Sequence, residues 1–269
     1  MNTTSNEAQA AWSERFGNVA PEGVAQLLPF LTHRSVRDYS DREVPESMVE
    51  GLIGAAQSAA TSSNLQLWSV VSVQEFGTRA AIDKLCGNQR QVRNAPWFFA
   101  FMIDHYRLRS AAEQVGEPAL GLDYNEFFTM AVIDASLAAE RMVCAAEHVG
   151  LGICYVGALR NDPDGVKALL GLPDGVVGLF GLCLGWPSEN NAAAIKPRLD
   201  TRSVWFREAY DTQVDVSEYD GRMSEFYASQ NMKGDVTWSM RSGRRVDEHH
   251  LTGRERLKSF LFEQGIDKR

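Results

Sequence analysis

The residues of this chain that are best suited to chemistry form a cluster near its beginning. His33, Arg34, Ser35 and Arg37 bring three basic or potentially basic side chains and one hydroxyl within five positions. An arginine can bind a phosphate through two parallel hydrogen bonds, and a serine adds a short neutral donor. In an acidic protein, such a cluster suits one specific anion better than polyanions in general. Taken alone, it could also be an ordinary solvated surface.

Three further clusters could belong to the same anion site. Residues 61–64, with the sequence Thr-Ser-Ser-Asn, could contact a ligand or simply end the preceding helix. Lys196 and Arg198 are separated by a proline, so their side chains could converge on one anion or diverge. After a predicted strand, Gly157 and Ala158 would let backbone N–H groups face a ligand, although a plain strand-to-helix turn has the same pattern.

Several motifs of other chemistries are missing from the sequence. It contains no GxxxxGK[ST], GxGxxG or GxSxG, which disfavours a P-loop, a classical dinucleotide fold and a nucleophile elbow. No HExxH or Cys/His spacing indicates a metal, and the four cysteines form no CxxC pair, which is typical of buried thiols in a reducing compartment. His33, beside Arg34, is better placed as an anion donor than as a general base. The clusters fit an enzyme whose chemistry is carried by a phosphorylated cofactor.

The composition narrows the class of protein further. The chain has 269 residues and a net charge of −8, which argues against nucleic-acid binding because that function needs a basic surface. No apolar run approaches the ~20 residues that span a bilayer, so no membrane partner is expected. The polar beginning of the chain lacks the features of a signal peptide, and we expect a cytoplasmic protein.

Hydrophobic periodicity and turn residues predict the elements that must position these clusters. Helices are predicted over residues 45–58, 80–85, 127–148, 163–170, 220–229 and 254–264, with the last two at the periphery. Strands are predicted over residues 67–73, 96–103, 151–156 and 176–185. Residues 106–122 are expected to form a polar excursion. The elements mix without a regular βαβ repeat, which predicts an α+β fold.

The domain organisation follows from the same pattern. Residues 1–20 are predicted to be a flexible N-terminal leader. Residues 21–269 are predicted to form a single domain, with a C-terminal excursion from about residue 188, where the composition becomes polar and charged. Gly181 and Gly185 within a predicted strand indicate that some other group closely approaches the backbone there.

In their order along the chain, these clusters resemble the flavin-dependent nitroreductase family. The resemblance is greatest to its branch of NADPH-dependent, oxygen-insensitive nitroreductases and flavin reductases. The matching segments are residues 33–37, 60–66, 87–89, 150–161, 181–187 and 196–198. The resemblance implies a sandwich with a mostly antiparallel central sheet flanked by helices, in an intertwined homodimer. One FMN would lie in each of two clefts, and the C-terminal excursion would wrap the partner subunit.

The resemblance also implies a role for each cluster. Five residues would hold the FMN phosphate: His33, Arg34, Ser35, Lys196 and Arg198. Arg37 and Gln89 would face the pyrimidine edge of the flavin. Three residues would approach the flavin from the partner subunit: Thr61, Ser62 and Ser63.

The remaining roles concern the reacting edge of the flavin. The Gly157 N–H would point at flavin N5, and Glu126 would lie at the mouth of the substrate cleft. Four neighbours of Gly157 would also contact the cofactor: Tyr155, Val156, Ala158 and Arg160. Gly157, Arg37 and Glu126 are therefore the predicted catalytic residues, and no metal is expected.

The implied activity is a ping-pong reaction in which NADPH or NADH transfers a hydride to FMN and a small acceptor then takes its place. The acceptor would be a nitroaromatic, a quinone or a flavin. Two alternatives stay open, namely a flavin reductase that supplies reduced FMN to a monooxygenase and a noncatalytic flavin-binding protein. The family's 2′-phosphate-binding loop offers only Lys233 here, with Arg241, Arg244 or Arg245 as possible substitutes, so the preference for NADPH stays open. Ala158 replaces a second glycine of close relatives.

Overall fold

The protein divides into two compact units. A computed structural model describes residues 3–232, 234, 236–266 and 268–269. Unit 1 combines the chain up to Arg34 with Ala193–Leu251, and unit 2 combines Ser35–Ala192 with Thr252–Arg269. The single domain expected over residues 21–269, and the wrapping of a partner by residues 188–269, stay predictions.

Unit 2 contains a four-stranded antiparallel sheet. Its strands are β1 (Trp68–Ser72), β2 (Trp97–Asp104), β3 (Gly152–Val156) and β4 (Val176–Gly185). The order across the sheet is β1-β2-β4-β3, and the register pairs Ala100 with Gly181 and Cys154 with Cys183. The four predicted strands are thereby confirmed, and β4 has the predicted bounds. Helices accompany this sheet, so the expected α+β class is confirmed.

The helices in the described part of the chain follow the predicted pattern with some exceptions. They are α1 (Thr3–Phe16), α2 (Leu28–Leu31), α3 (Glu46–Gln57), α4 (Phe76–Leu85), α5 (Arg90–Asn94), α6 (Tyr106–Gln114), α7 (Asn125–His148), α8 (Pro163–Leu170), α9 (Ser217–Ser229), α10 (Trp238–Arg245) and α11 (Leu257–Glu263). Helix α8 has the predicted bounds, since its first residue is a proline and a glycine in the left-handed region follows its last. None of these helices is long and apolar enough to cross a bilayer.

Close packing around the sheet depends on small residues. Helix α7 buries the alanines at 131, 135, 138, 139 and 146, and its interior face packs on helix α3 and on β2. Strands β2 and β4 are almost wholly buried, as their continuous apolar runs predict. A Cβ on Gly181 would lie 2.4 Å from the ring of Phe98, and one on Gly185 would lie 2.5 Å from Pro96. The predicted close approaches at these two glycines are confirmed.

Three peripheral segments contain regular or buried structure that the sequence did not predict. The leader predicted over residues 1–20 contains helix α1, which buries Ala8, Ala11 and Arg15 at helical spacing, so its polar composition concealed a packed face. The excursion over 106–122 contains helix α6, which has no buried residue and therefore no apolar stripe to reveal it. Helix α11 is not peripheral, because Phe260 and Leu261 belong to a buried core cluster.

The cysteines behave as the sequence predicts. The side chains of Cys86, Cys154 and Cys183 are buried, and Cys144 is partly exposed. Burial raises the pKa of Cys86 to about 12 and raises the pKa of Cys183 well above its ordinary value. Neutral, buried thiols are poor nucleophiles, so these residues contribute packing to the core.

We expect Gly181→Ala to lower the free energy of unfolding by about 1–3 kcal/mol, because the added methyl would overlap Phe98. Gly51→Ala is the matched control. Gly51 is exposed within helix α3 and has open space around it, so this change should raise stability by up to about 1 kcal/mol. Urea unfolding followed by circular dichroism measures both changes. Equal effects of the two substitutions would contradict the packing constraint.

Candidate functional site

In unit 2, residues 35–37 are attached to strand β3. Ser35 forms an isolated parallel bridge with Ile153, and the Val36 N–H donates to the Ile153 carbonyl at 2.8 Å. A Cβ on Gly152 would lie 2.6 Å from the Val36 side chain, so the glycine permits this approach. Val36 is buried whereas Arg37 is exposed, as expected where alternate side chains point to opposite sides of an extended segment.

Strand β3 leads directly into the predicted glycine turn. The strand ends at Val156, and Gly157 begins a 3-10 helix, Gly157–Arg160. The N–H of a first helical residue has no acceptor within its own helix, so the Gly157 N–H is suited to a ligand. Ala158 packs against the core and the Arg160 guanidinium donates to the Leu179 carbonyl. The Gly157 turn and residues 35–37 are therefore brought together by one strand.

A second guanidinium reaches the glycine turn from the end of the chain. A Cβ on Gly157 would lie 3.5 Å from Nη2 of Arg160 and 3.9 Å from Nη2 of Arg254. Arg254 Nε also donates to the Asn161 side chain at 2.9 Å. Gly253, with φ +87°, lies against the Asn161 carbonyl. A Cβ on Gly253 would be 2.2 Å from that oxygen, so the approach requires a glycine. Sequence reasoning missed Arg254, and the preceding glycine was the signal available.

Tyr155 has its own hydrogen bond beside the turn. Its hydroxyl donates to the Glu140 carboxylate on helix α7 at 3.1 Å. Desolvation and then the charge of Glu140 raise the pKa of Tyr155, so the hydroxyl stays protonated. Val156 is buried in the core, which leaves its side chain as a support of the turn.

Residues 61–64, the serine loop, are held by a buried carboxylate that sequence reasoning missed. Asp134 on helix α7 is 1% exposed and accepts from Thr61 Oγ1 at 2.5 Å, Ser62 N at 3.0 Å and Leu67 N at 3.1 Å. Ser63, Asn64 and Gln66 have φ near +50°, a region that is costly for residues other than glycine. Such a conformation persists when surrounding bonds fix it, as those of Asp134 do. Ser62 and Ser63 are exposed.

Two other predicted residues occupy separate loops. Gln89 precedes helix α5, where its side chain donates to the Cys86 carbonyl at 2.9 Å and accepts from Gln91 at 2.7 Å. Glu126 is exposed in the first turn of helix α7, where a carboxylate is favoured by the helix dipole. Their roles toward a cofactor and a substrate stay predictions, as does the contact of residues 61–63 with a flavin of the partner subunit.

Unit 1 contains the other predicted phosphate contacts. His33 is half-buried, and Arg34, Lys196 and Arg198 are exposed. Helix α1 links their two segments: Arg15 donates to the carbonyls of His33 and Lys196, and its own carbonyl accepts from the Arg198 N–H. The backbone of residue 33 and that of residues 196–198 are thereby tied to one helix. Lys233, the one cation noted in the 2′-phosphate loop, lies outside the described residues.

Comparisons with known proteins decide the family. The model of the nitroreductase family matches residues 31–186, and that of the family's C-terminal domain matches residues 196–269. The chain belongs to the nitroreductase family.

Relatives of known name agree with this membership. The chain is 38% identical over 216 residues to an FMN reductase (NADPH) of Bacillus subtilis. The matched segment covers 78% of this chain and 86% of the relative. It is 33% identical over 211 residues to an oxygen-insensitive NADPH nitroreductase of Salmonella typhimurium, over 77% and 85% of the two chains. The solved NfrA1 nitroreductase of B. subtilis superposes with a TM-score of 0.83 at 35% identity, over 90% of this chain and 99% of that one.

The residues of this nitroreductase suit a phosphorylated flavin. Within the described residues, Arg34, Arg37 and Arg198 have no carboxylate partner, so their charges remain available to an anion. The Gly157 turn presents an N–H beside two guanidinium groups and no side chain of its own. Cationic donors and a backbone amide without a side chain are what an anionic, planar cofactor requires, so these residue types fit FMN.

We expect Asp134→Ala to lower the free energy of unfolding by about 2–5 kcal/mol, since it leaves the donors of Thr61, Ser62 and Leu67 without their acceptor. Asp174→Ala serves as the control. Asp174 is exposed and forms an ion pair with the half-buried Lys167, and the loss of this pair should cost less than about 1 kcal/mol. Urea unfolding curves compare the two variants. Similar losses of unfolding free energy in both variants would show that Asp134 does not stabilise the serine loop.

Proposed function

We propose that this chain is an FMN-dependent NAD(P)H oxidoreductase that reduces nitroaromatics, quinones or flavins by two-electron transfer. The observation that carries the proposal is the Gly157 turn. Its first N–H has no acceptor within its own helix, the guanidinium groups of Arg160 and Arg254 lie close to it, and the strand-bound residues 35–37 are attached to the same strand. The names of the relatives, an FMN reductase and a nitroreductase that use NADPH, support the same reaction class.

When bound, FMN would supply a redox group that accepts a hydride from a nicotinamide and passes an electron pair to a second substrate. The chain's own residues bind and orient that group. The Gly157 N–H would donate to the edge of the ring system, and the missing side chain leaves that edge open to the nicotinamide and to the acceptor in turn. Arg37 would stabilise negative charge on the ring by electrostatic attraction.

The phosphate and the substrate would be bound by different parts of the chain. His33, Arg34, Ser35, Lys196 and Arg198 are assigned to the phosphate, where paired N–H donors give strong, oriented hydrogen bonds. Glu126, exposed at the start of helix α7, is assigned to the mouth of the substrate cleft.

A homodimer and a cytoplasmic location belong to the same proposal. Ile133 and Leu137 lie one turn apart on helix α7 and are 49% and 44% exposed, while the alanines of its other face are buried. An exposed apolar stripe on a long helix is suited to pairing with a second copy. The buried cysteines suit a reducing compartment.

The nucleotide preference is the finer point of the proposal. Helix α10 has three exposed arginines at its surface, and two of them have other contacts: Arg241 lies over the Tyr227 ring at 5.0 Å, and Arg245 donates to the His250 carbonyl at 2.8 Å. Arg244 has the same exposure and is the best placed of the three to bind a 2′-phosphate.

The proposal is tested with purified protein supplemented with FMN. We expect a yellow protein that oxidises NADPH or NADH when menadione or a nitroaromatic is present. A colourless protein that cannot be reconstituted with FMN would contradict the flavin proposal. A yellow protein that oxidises neither nicotinamide would favour the noncatalytic alternative.

The name of the B. subtilis relative favours one second candidate, a flavin reductase that releases its product. Gel filtration under anaerobic conditions, after addition of NADPH, separates the two functions. Flavin that elutes with the protein indicates an enzyme that keeps its cofactor through turnover. Flavin that elutes in the small-molecule fraction indicates a flavin reductase.

We expect Arg37→Ala to weaken FMN binding or slow hydride transfer by about tenfold, the effect of losing one hydrogen bond to a charged group, without unfolding the protein. Arg42→Ala is the control, since Arg42 stacks on Trp186 at 3.6 Å and has no assigned role in the site. Fluorescence titration with FMN and stopped-flow reduction measure the effects. Full binding together with full turnover in the Arg37 variant would show its assigned role to be wrong.

A further inference from the structure

Arg15 lies near the end of helix α1, and its residue surface is only 7% exposed. Its guanidinium donates from Nη2 to the Leu31 carbonyl at 2.7 Å and to the His33 carbonyl at 2.8 Å, and from Nη1 to the Lys196 carbonyl at 3.3 Å. A guanidinium can serve several acceptors at once because its five N–H donors are fixed in one plane. One buried side chain therefore joins two segments that are far apart in the sequence.

The main chain of Arg15 strengthens the same connection. Its carbonyl accepts from the Arg198 N–H at 2.7 Å and from Nη1 of Arg222 at 3.1 Å. Arg222 in turn donates from Nη2 to the Arg198 carbonyl at 3.2 Å. The last carbonyls of a helix have no partners within it, so the end of helix α1 is free to bind residue 198 in this way.

The segments that Arg15 joins have no other regular scaffold. Residues 33–34 and residues 196–198 lie outside helices and strands, so no ladder of backbone bonds fixes their positions. They carry four of the five residues assigned to the phosphate: His33, Arg34, Lys196 and Arg198. The bonds from Arg15 use the carbonyl oxygens of His33 and Lys196 and not their side chains. The contact therefore orders the backbone that carries these side chains.

Helix α1 lies outside both segments that the family models match, because the first of these begins at residue 31. Arg15 therefore adds to the family pattern, and the motifs at residues 33–37 and 196–198 do not reveal it.

We propose that Arg15 is a positioning residue that preorganises the phosphate site by holding its two cationic segments through their backbone. This inference rests on the proposed FMN function. Cations gathered without an anion repel one another, so their segments tend to separate unless attractive contacts hold them. Bonds from Arg15 to carbonyl dipoles meet that need, and order imposed before binding does not have to be imposed by the ligand.

The test separates the phosphate from the rest of the flavin. Flavin-free, full-length protein is titrated with FMN and with riboflavin, which lacks the phosphate, and binding is followed by flavin fluorescence. For wild type we expect FMN to bind about 100-fold or more tightly than riboflavin, because paired charged hydrogen bonds hold the phosphate. Arg15→Ala should reduce FMN affinity about 10- to 100-fold and leave riboflavin affinity unchanged, so that the selectivity for FMN collapses.

Two further variants make the experiment decisive. Arg15→Lys keeps the charge but lacks the planar fork, so it should retain part of the FMN selectivity, and it replaces the alanine variant if that variant does not fold. Arg207→Ala makes the same charge change at an exposed arginine of unit 1 that stacks on Trp205, and it should keep wild-type selectivity.

Each outcome has one meaning. Equal losses of FMN and riboflavin affinity in the Arg15 variants, or wild-type selectivity in both, would overturn the positioning role while leaving the FMN site intact. A wild-type protein that binds FMN no more tightly than riboflavin would instead overturn the proposed phosphate site, and this inference with it.

Discussion

The packing of unit 2 depends on the close approach of neighbouring side chains to strand β4. This strand pairs with β2 on one side and β3 on the other, and both of its faces are covered. Gly178, Gly181 and Gly185 leave room for Leu159 and Val166, for Phe98 and for Pro96. A side chain at any of these positions would displace a packed neighbour, and interiors at this density have little space to absorb the shift.

That constraint extends to the site through strand β3. Because β3 pairs with β4, its end and the Gly157 turn have fixed positions relative to the core. Gly152 then allows residues 35–37 to lie against β3 on its other edge. The parts of unit 2 assigned to the flavin ring are thus held by backbone pairing. Helix α7 supplies Asp134, and the segment just before helix α11 brings Arg254 to the Gly157 turn. A site built on rigid elements needs less ordering when its ligand binds.

The sequence predicted those features of the fold that depend on residues close together in the chain. The strand at residues 176–185 and the helix at residues 163–170 have their expected bounds, since apolar runs, an N-terminal proline and a C-terminal glycine are local signals. The ordered motifs also predicted the family, and the turn at Gly157 is where they placed it. The sequence did not predict helix α1. Its buried face consists of small alanines and an arginine, and the segment as a whole has a polar composition.

What the sequence could not predict are contacts between distant residues. Asp134 bonds to a loop 73 positions away, Arg254 to a residue 93 positions away, and Arg15 to a carbonyl 181 positions away. No local pattern marks an aspartate or an arginine as the partner of a particular backbone group. The left-handed backbone at Ser63 and Asn64 was equally hidden, because neither residue type requires it and only the surrounding bonds impose it.

The central claim is that this nitroreductase passes electron pairs between a nicotinamide and an acceptor by way of bound FMN. Anaerobic mixing of the FMN-loaded protein with one equivalent of NADPH or NADH, followed by a nitroaromatic, measures this most directly. We expect the visible flavin absorbance to be lost in step with one equivalent of nicotinamide oxidised, and to return when the acceptor is added after the nicotinamide has been removed. Flavin absorbance that persists with both nicotinamides, or that returns only while a nicotinamide is present, would contradict it.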